Sequence, residues 1–160
     1  MSAAETIFRV EPDQLVTVLT HHFDAPPELV FETYSDPQMI PKWWGPGDLS
    51  TVVVAMEVRM GGVWRFVQHD AAGTEFAFHG VYHEVSPPSR LVQTFEYEGD
   101  PTQVILETIT FGVDGDGTKL TTSSVFSSVA DRDTMVAAGM ERGARQSMDR
   151  LASLLGSPRR

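Results

Sequence analysis

Acidic, basic and phenolic side chains lie close together in two short stretches of the sequence, EVRMGG and FHGVYHEV. In the second stretch Tyr82 and Glu84 are two residues apart, and residues two apart on a strand share one face. A carboxylate among apolar side chains has its charged form disfavoured unless a cation pairs with it, and Arg59 is the partner we expect. These residues, with His79, are candidates for acid/base chemistry or for anchoring a ligand. The alternative is an ion pair that only joins two strands.

The sequence predicts neither a metal site nor a cofactor. His79 and His83 are four residues apart on a predicted strand, hence about 13 Å apart and unable to share one ion. The adjacent His21 and His22 would point to opposite faces. The chain has no cysteine, and it lacks both a G-x-S-x-G nucleophile motif and a glycine-rich phosphate loop.

Aromatic side chains alternate along two neighbouring predicted strands. Trp64 and Phe66 share one face of the first strand, and Phe78, Gly80 and Tyr82 share a face of the next. The hairpin between them predicts that Trp64 lies opposite Gly80 and Phe66 opposite Phe78. If these faces are concave, aromatic rings line the interior of the protein. The sequence leaves open a one-residue slip that would turn another set inward: His79, Val81 and His83.

Two adjacent tryptophans occur where the backbone turns, in the stretch DPQMIPKWWGP. If the loop after the second short helix closes one end of a cavity, one of Trp43 and Trp44 can fill the core while the other, pointing the other way, lines the mouth. The alternative is that both indoles are purely structural.

The composition predicts one cytoplasmic domain. Of 160 residues 41% are hydrophobic and 21% are charged, so residues 1–160 can form a single domain with an ordered core at about 14–155. No stretch approaches the ~20 apolar residues of a membrane span, and no signal peptide is evident. The net charge of −10 argues against nucleic acid and against an anionic membrane as partners.

The pattern of turns predicts a curved antiparallel sheet. Short links rich in glycine, proline, aspartate and serine separate β-branched and aromatic runs, which is typical of a meander. Two short helices are expected at 28–34 and 35–42. Seven strands are predicted: 14–23, 50–55, 63–69, 75–85, 90–98, 103–113 and 119–127.

The last element is predicted to be one long amphipathic helix over residues 131–155, about 37 Å long, with its cap at Ser128. Its apolar positions recur at helical spacing: Val136, Met140, Ala144, Met148, Leu151 and Leu155. Gly139 and Gly143 form a second line along it, and each costs on the order of 1 kcal/mol against alanine. They indicate either tight packing on the sheet or the wall of a cavity.

Taken together, five motifs resemble a known family: FDAPPELVF, DPQMIPKWWGP, EVRMGGVWRF, FHGVYHEVSPPSRL and GMERGARQSMDRLASLL. From residue 23 to residue 155 the chain is similar to the homologues of the activator of heat-shock ATPase, within the START-like (SRPBCC) superfamily. The resemblance implies an α+β helix-grip fold, in which two short helices and a long C-terminal helix enclose a cavity on a curved sheet. Relatives bind lipids, hormones or polyketides, some are aromatase/cyclases, and the activator itself stimulates a chaperone ATPase.

We expect binding rather than catalysis, with a small hydrophobic or aromatic molecule held between the sheet and the C-terminal helix. A cyclase or hydrolase that uses the same cavity is the second hypothesis, and a chaperone co-regulator is the third. Self-association through the outer sheet face or an edge strand is left open. The expected ligand contacts are Trp43, Trp44, Trp64, Phe66, Phe78, Tyr82, Met135, Gly139, Met140 and Gly143.

Overall fold

Eight strands form one antiparallel sheet in the computed structural model, which describes residues 5–156. The order across the sheet is β1-β2-β8-β7-β6-β5-β4-β3, so β1 and β3 are its edges. Every neighbouring pair is antiparallel, which confirms the predicted meander. The strands are β1 (Ile7–Val10), β2 (Val16–Phe23), β3 (Ser50–Met56), β4 (Val63–His69), β5 (Glu75–Ser86), β6 (Arg90–Tyr97), β7 (Ile105–Asp114) and β8 (Gly117–Val125).

The count of seven predicted strands is one too low. The additional strand is β1, which pairs with β2 along Ile7–Val10 and lies before the predicted start of the ordered core. Four residues carry too little alternation to identify a strand from sequence. Pairing with β2 stabilises it, and Phe8 packs against the core.

The helices are α1 (Pro27–Tyr34), α2 (Ile40–Trp43), α3 (Val129–Ala137) and α4 (Met140–Gly156). The prediction of one continuous C-terminal helix is therefore wrong. The chain leaves the helix at Ala138 and passes through Gly139 with φ +100°, a conformation that glycine adopts without steric cost. α4 has 17 residues and is about 26 Å long. Within the described residues, no helix has both the length and the apolar character needed to cross a bilayer.

The core lies between the concave face of the sheet and α1, α2 and α4. α4 buries Ser147, Met148 and Leu151 on its inner side, and Leu151 meets a core that includes Ile109 and Leu120, none of which has accessible surface. This position confirms that the C-terminal helix rests on the sheet, as the helix-grip fold requires.

The register of β4 and β5 agrees with the sequence prediction. Trp64 lies opposite Gly80 and Phe66 opposite Phe78. A Cβ atom at position 80 would lie 1.9 Å from the Thr94 carbonyl oxygen and 2.5 Å from the Trp64 indole nitrogen, so only glycine fits at this position. Tyr82 is buried and His83 is exposed. The one-residue slip is therefore wrong.

α3 is held to the β1–β2 connection by one buried side chain. The Ser128 hydroxyl caps the helix by accepting a hydrogen bond from the Asp131 N–H at 3.0 Å, as predicted. Arg132 is only 4% exposed; its guanidinium donates hydrogen bonds to the carbonyls of Glu11 and Gln14 and pairs with Asp133 at 2.8 Å.

Candidate functional site

A cluster of aromatic rings fills the concave face beneath α2. Trp44 packs edge-on against Trp64, Phe66 and Phe78, with ring centroids 6.3, 5.0 and 5.3 Å apart. Such edge-to-face contacts are each worth about 0.5–1.5 kcal/mol beyond the area they bury. Trp44 is half-buried, so it covers the cluster from the solvent side.

The cluster continues toward the surface along β5 and β6. Trp64 contacts Phe95 at 5.9 Å, and Phe78 contacts Phe95 at 5.5 Å and Tyr97 at 5.2 Å. Trp64 is buried, whereas Phe78, Phe95 and Tyr97 are half-buried. The rings therefore form a continuous array, named here the aromatic array, that begins in the core and ends at solvent.

The enclosed cavity is much smaller than the predicted hollow. It measures about 20 Å³, and its lining includes Trp43, Trp44, Trp64, Tyr82 and Gln93. A space of this size holds roughly one water molecule. A larger depression of about 410 Å³ lies on the surface beside Lys42 and Arg150. It is open to solvent, and none of its lining residues is aromatic.

Trp43 and Trp44 have different surroundings: Trp43 fills the core, and Trp44 lies on the solvent side of the cavity. Trp43, the last residue of α2, is 2% exposed and packs on Tyr34 with centroids 4.8 Å apart. The backbone becomes extended at Trp44, which turns its indole toward the array. The Trp43 indole N–H is buried without a hydrogen-bond partner among the described residues. An unpaired buried donor costs about 1–3 kcal/mol, so the cavity beside it favours an acceptor.

The loop that carries Trp44 is tied to α4 by polar contacts. The Gly45 N–H donates to the Ser147 hydroxyl at 2.8 Å, and the Gly47 N–H donates to the Gln146 side chain at 3.0 Å. Arg150 donates to the Gly45 carbonyl oxygen at 3.0 Å. These hydrogen bonds hold the loop, and its aromatic contacts hold the Trp44 ring on the array.

A row of polar side chains crosses the same concave face and ends at the cavity. Successive strands place its members opposite one another, so that each lies beside the next. The Gln93 amide donates to a Glu107 carboxylate oxygen at 3.1 Å. The row, named here the polar row, consists of Tyr82, Gln93, Glu107, Ser124 and Thr17.

The surroundings of Glu107 shift the pKa of its carboxyl group into the neutral range. Although it keeps some accessible surface, protein surrounds its carboxyl group, and this desolvation raises its pKa to about 7. Hydrogen bonds from Gln93 and Ser124 oppose the shift. Burial also raises the pKa of Tyr82 and of Tyr34, so both phenols stay neutral near pH 7. A carboxyl group with a pKa near 7 can donate or accept a proton at neutral pH.

The predicted cluster of Glu84, Tyr82 and Arg59 does not form. A β-bulge between Tyr82 and Glu84 adds one residue to β5 and reverses its alternation. Val85 therefore packs against the core, while the Glu84 side chain is 40% exposed and pairs with Arg90 at 3.1 Å. Arg59 instead pairs with Glu57 at 3.5 Å.

Sequence reasoning missed Glu107. The signal was its place in ILETITF, where it alternates with Ile105 and Ile109 and so shares their face of the strand. Both isoleucines are buried. An acid at an apolar position of a strand is a candidate functional group.

The glycines and methionines near the helix break do not line the cavity. Met135 and Met140 are half-buried, and Gly139 is exposed. Gly139 serves the break between α3 and α4, and a Cβ atom at position 143 would have no non-local atom within 4 Å. Of the expected contacts, the cavity lining contains Trp43, Trp44, Trp64, Phe66 and Tyr82.

His79 lies on the outer face of the sheet in an ion-pair network. Its two ring nitrogens lie 3.0 Å from Glu96 and 2.9 Å from Glu98, and Arg65 pairs with Glu98 at 2.8 Å. Hydrogen bonding to Arg65 lowers the pKa of Glu98 to about 2. The described residues contain no group of three or more His, Cys, Asp or Glu placed to hold a metal ion.

Solved structures share this fold at low sequence identity. Protein Ms6760 from Mycobacterium smegmatis is 23% identical with a TM-score of 0.86, over 97% of this chain and 99% of that chain. Protein CV1439 from Chromobacterium violaceum is 26% identical with a TM-score of 0.81, over 90% and 99%. DynU16, a protein in the dynemicin biosynthetic locus, is 20% identical with a TM-score of 0.72, over 90% of this chain and 48% of DynU16.

None of the curated proteins matches the chain in sequence. The family model for activator of Hsp90 ATPase homolog 1-like protein matches residues 24–156. This span runs from just before α1 to the end of α4 and includes the aromatic array and every member of the polar row except Thr17. The chain therefore belongs to the family of activator of Hsp90 ATPase homolog 1-like proteins, within the START-like (SRPBCC) superfamily.

Proposed function

We propose that the protein binds a small, flat, mainly apolar molecule against the outer part of the aromatic array. The observation that carries this proposal is the half-buried state of Phe78, Phe95 and Tyr97 at the end of an array that starts in the core. Covering apolar surface contributes about 25 cal/mol for each Å² removed from water. A flat ring placed there would also gain edge-to-face contacts.

Binding deeper in the fold requires Trp44 to move. The cavity of about 20 Å³ is far below the ~300 Å³ of typical ligand pockets. Trp44 is half-buried, and its loop is tied to α4 by hydrogen bonds, which water can replace. A ligand that takes the place of the Trp44 ring would make the contacts with Trp64 and Phe66 that this ring makes now.

Family membership supports a ligand-binding or cyclase-like use of this fold. One structural neighbour occurs in the dynemicin biosynthetic locus. Catalysis through Glu84 has no geometric support, because Glu84 pairs with Arg90 on the surface. Contact with a chaperone ATPase is supported by the name of the family alone.

The test uses 2-methylnaphthalene as a probe. Titration into the protein labelled with nitrogen-15 should give saturable shifts of the indole N–H signals of Trp44 and Trp64. Phe78→Leu should weaken binding about fivefold, since it removes one ring of the outer array. Phe8→Leu is the matched control, because Phe8 is a half-buried phenylalanine of β1. The proposal fails if no saturable shift occurs, or if both variants bind as the wild type does.

A further inference from the structure

The centre of the polar row is an acid without a charged partner. Among the described residues no ion pair includes Glu107; its partners are the neutral side chains of Gln93 and Ser124. An acid that serves only structure is normally paired with a cation when it is buried. Its ionised form is therefore incompletely compensated by the protein.

Glu107 lies next to the aromatic array. Gln93 is its partner across β6 and β7 and also lines the cavity. Phe95 follows Gln93 on the same face of β6, so it is the diagonal neighbour of Glu107 at about 7–8 Å between Cα atoms. The cavity of about 20 Å³ ends at Gln93, so a molecule that contacts both the carboxyl group and the half-buried rings must displace the Trp44 ring and take the place of the Gln93 hydrogen bond to Glu107.

An organic ammonium ion fits this combination of groups better than a neutral molecule does. The faces of aromatic rings attract cations by about 0.5–2 kcal/mol, more where water is excluded. A desolvated carboxylate gains most from a cation that replaces its lost hydration. The net charge of −10 also raises the local concentration of cations over anions.

We propose that Glu107 is the recognition group of this site and that it selects aromatic ligands carrying a protonated amine, with the ring on the aromatic array and the ammonium group at the carboxylate. This inference rests on the proposed function, since it adds a polar anchor to the same site. Because a carboxylate is required, binding of the amine should strengthen as the pH rises toward and past 7, the pKa that burial confers on Glu107.

The other ionisable groups that face Glu107 do not account for the expected pH dependence of amine binding, which we assign to Glu107 itself. Tyr82 of β5 and Tyr34 of α1 lie near it, and burial keeps both neutral. Gln93 of β6, Ser124 of β8 and Thr17 of β2 do not titrate. On β2, His21 is buried on the same face, and burial lowers its pKa despite the opposing charge of Asp149 on α4.

The experiment compares 2-naphthylmethylamine with its neutral analogues 2-methylnaphthalene and 2-naphthalenemethanol, using the wild type, Glu107→Gln and Glu84→Gln. At pH 8 the amine should bind wild type at least about tenfold tighter than 2-methylnaphthalene. Glu107→Gln should remove this preference and leave the affinity for 2-methylnaphthalene within about twofold. Glu84→Gln, which removes a surface carboxylate, should retain the preference.

Each result has a distinct meaning. If 2-methylnaphthalene binds but the amine binds no tighter, the role of Glu107 is refuted and the proposed function stands. A preference for the alcohol over the amine likewise refutes it, in favour of hydroxyl recognition. If none of the three probes binds, the proposed function itself fails. Should Glu107→Gln not fold, the wild type decides, because its preference for the amine must fall at least about fivefold from pH 8 to pH 5, a range that spans the pKa of about 7 at which the carboxylate is protonated.

Discussion

Glu107 makes the stability of this protein depend on pH in a direction opposite to that of most acids. Its pKa is about 7 in the folded protein, against 4.5 for an unperturbed glutamate. Between these values the folded state binds more protons than the unfolded state, so the free energy of unfolding falls as the pH rises. Its stabilising contribution is complete below pH 4.5 and is lost as the pH rises through 7. We predict that Glu107→Gln removes this loss.

The magnitude follows from the two pKa values. The difference between 4.5 and about 7, at about 1.4 kcal/mol for each pH unit, corresponds to about 3 kcal/mol. Domains of this kind are stable by about 5–15 kcal/mol. The gain from Glu107→Gln between pH 4.5 and pH 8 is therefore a large part of the total. Glutamine keeps an oxygen that can accept the hydrogen bond from Gln93.

The assay is urea denaturation of wild type and Glu107→Gln at pH 4.5, 6, 7 and 8. The difference in free energy of unfolding between the two proteins should shift in favour of the variant by about 3 kcal/mol over this range. Other groups, including His21, are present in both proteins, so their contributions to the difference in free energy of unfolding cancel. Glu84→Gln, which also replaces one carboxylate by an amide, is the control for the change of charge and should not reproduce a gain of about 3 kcal/mol. A constant difference for Glu107→Gln across the four pH values would refute the reasoning about burial of this carboxyl group.

Three further predictions concern the scaffold. Gly80→Ala should destabilise the protein by about 3 kcal/mol and disturb the Trp64 fluorescence, because the new Cβ would lie 2.5 Å from the indole nitrogen. Arg132→Leu should cost about 3 kcal/mol, since carbonyl groups of the β1–β2 connection lose their charged donor. Glu98→Gln should lower stability at pH 6, and its difference from wild type should shrink as the pH falls from 4.5 toward 2, because Arg65 lowers the pKa of Glu98.

The measurements for these three are urea denaturation, with tryptophan fluorescence for Gly80→Ala and hydrogen exchange of the β1 amides for Arg132→Leu. Gly112→Ala is a control for the first, since its nearest non-local atom is 3.8 Å from a new Cβ. Unchanged stability of Gly80→Ala would contradict the close approach of Trp64. Normal protection of β1 in Arg132→Leu would contradict the anchoring role. If the difference in free energy of unfolding between Glu98→Gln and wild type grew as the pH fell, this result would contradict the ion pair.

Most of the sheet was predictable because strands and turns are local patterns. Six of the eight strands are separated by turn residues, and the β4 strand at Val63–His69 agrees with its prediction in both bounds. The pairing of Trp64 with Gly80 followed from the hairpin length and the period of two. The strand β1 was missed because four residues show too little of that period to stand out.

The helix break and the β-bulge show where local patterns mislead. The apolar spacing continues through Gly139, and a single glycine costs only about 1 kcal/mol in a helix. The local sequence therefore does not distinguish a helix that breaks at Gly139 from one that continues through it. The bulge after Tyr82 likewise cannot be recognised from the alternation of apolar and polar residues in the sequence of β5. Its consequence is large, because it moves Glu84 to the surface and Val85 to the core.

The sequence by itself determined the α+β class, the antiparallel order of most strands, the pairing of Trp64 with Gly80 and the family to which the chain belongs. Only the tertiary structure decided that Trp44 occupies the predicted hollow, that the cavity is about 20 Å³, and that Glu107 stands beside Gln93. The reason is physical. Periodicity records which side of an element is buried, whereas the volume left inside and the partner of a buried charge depend on side chains that are distant in the chain.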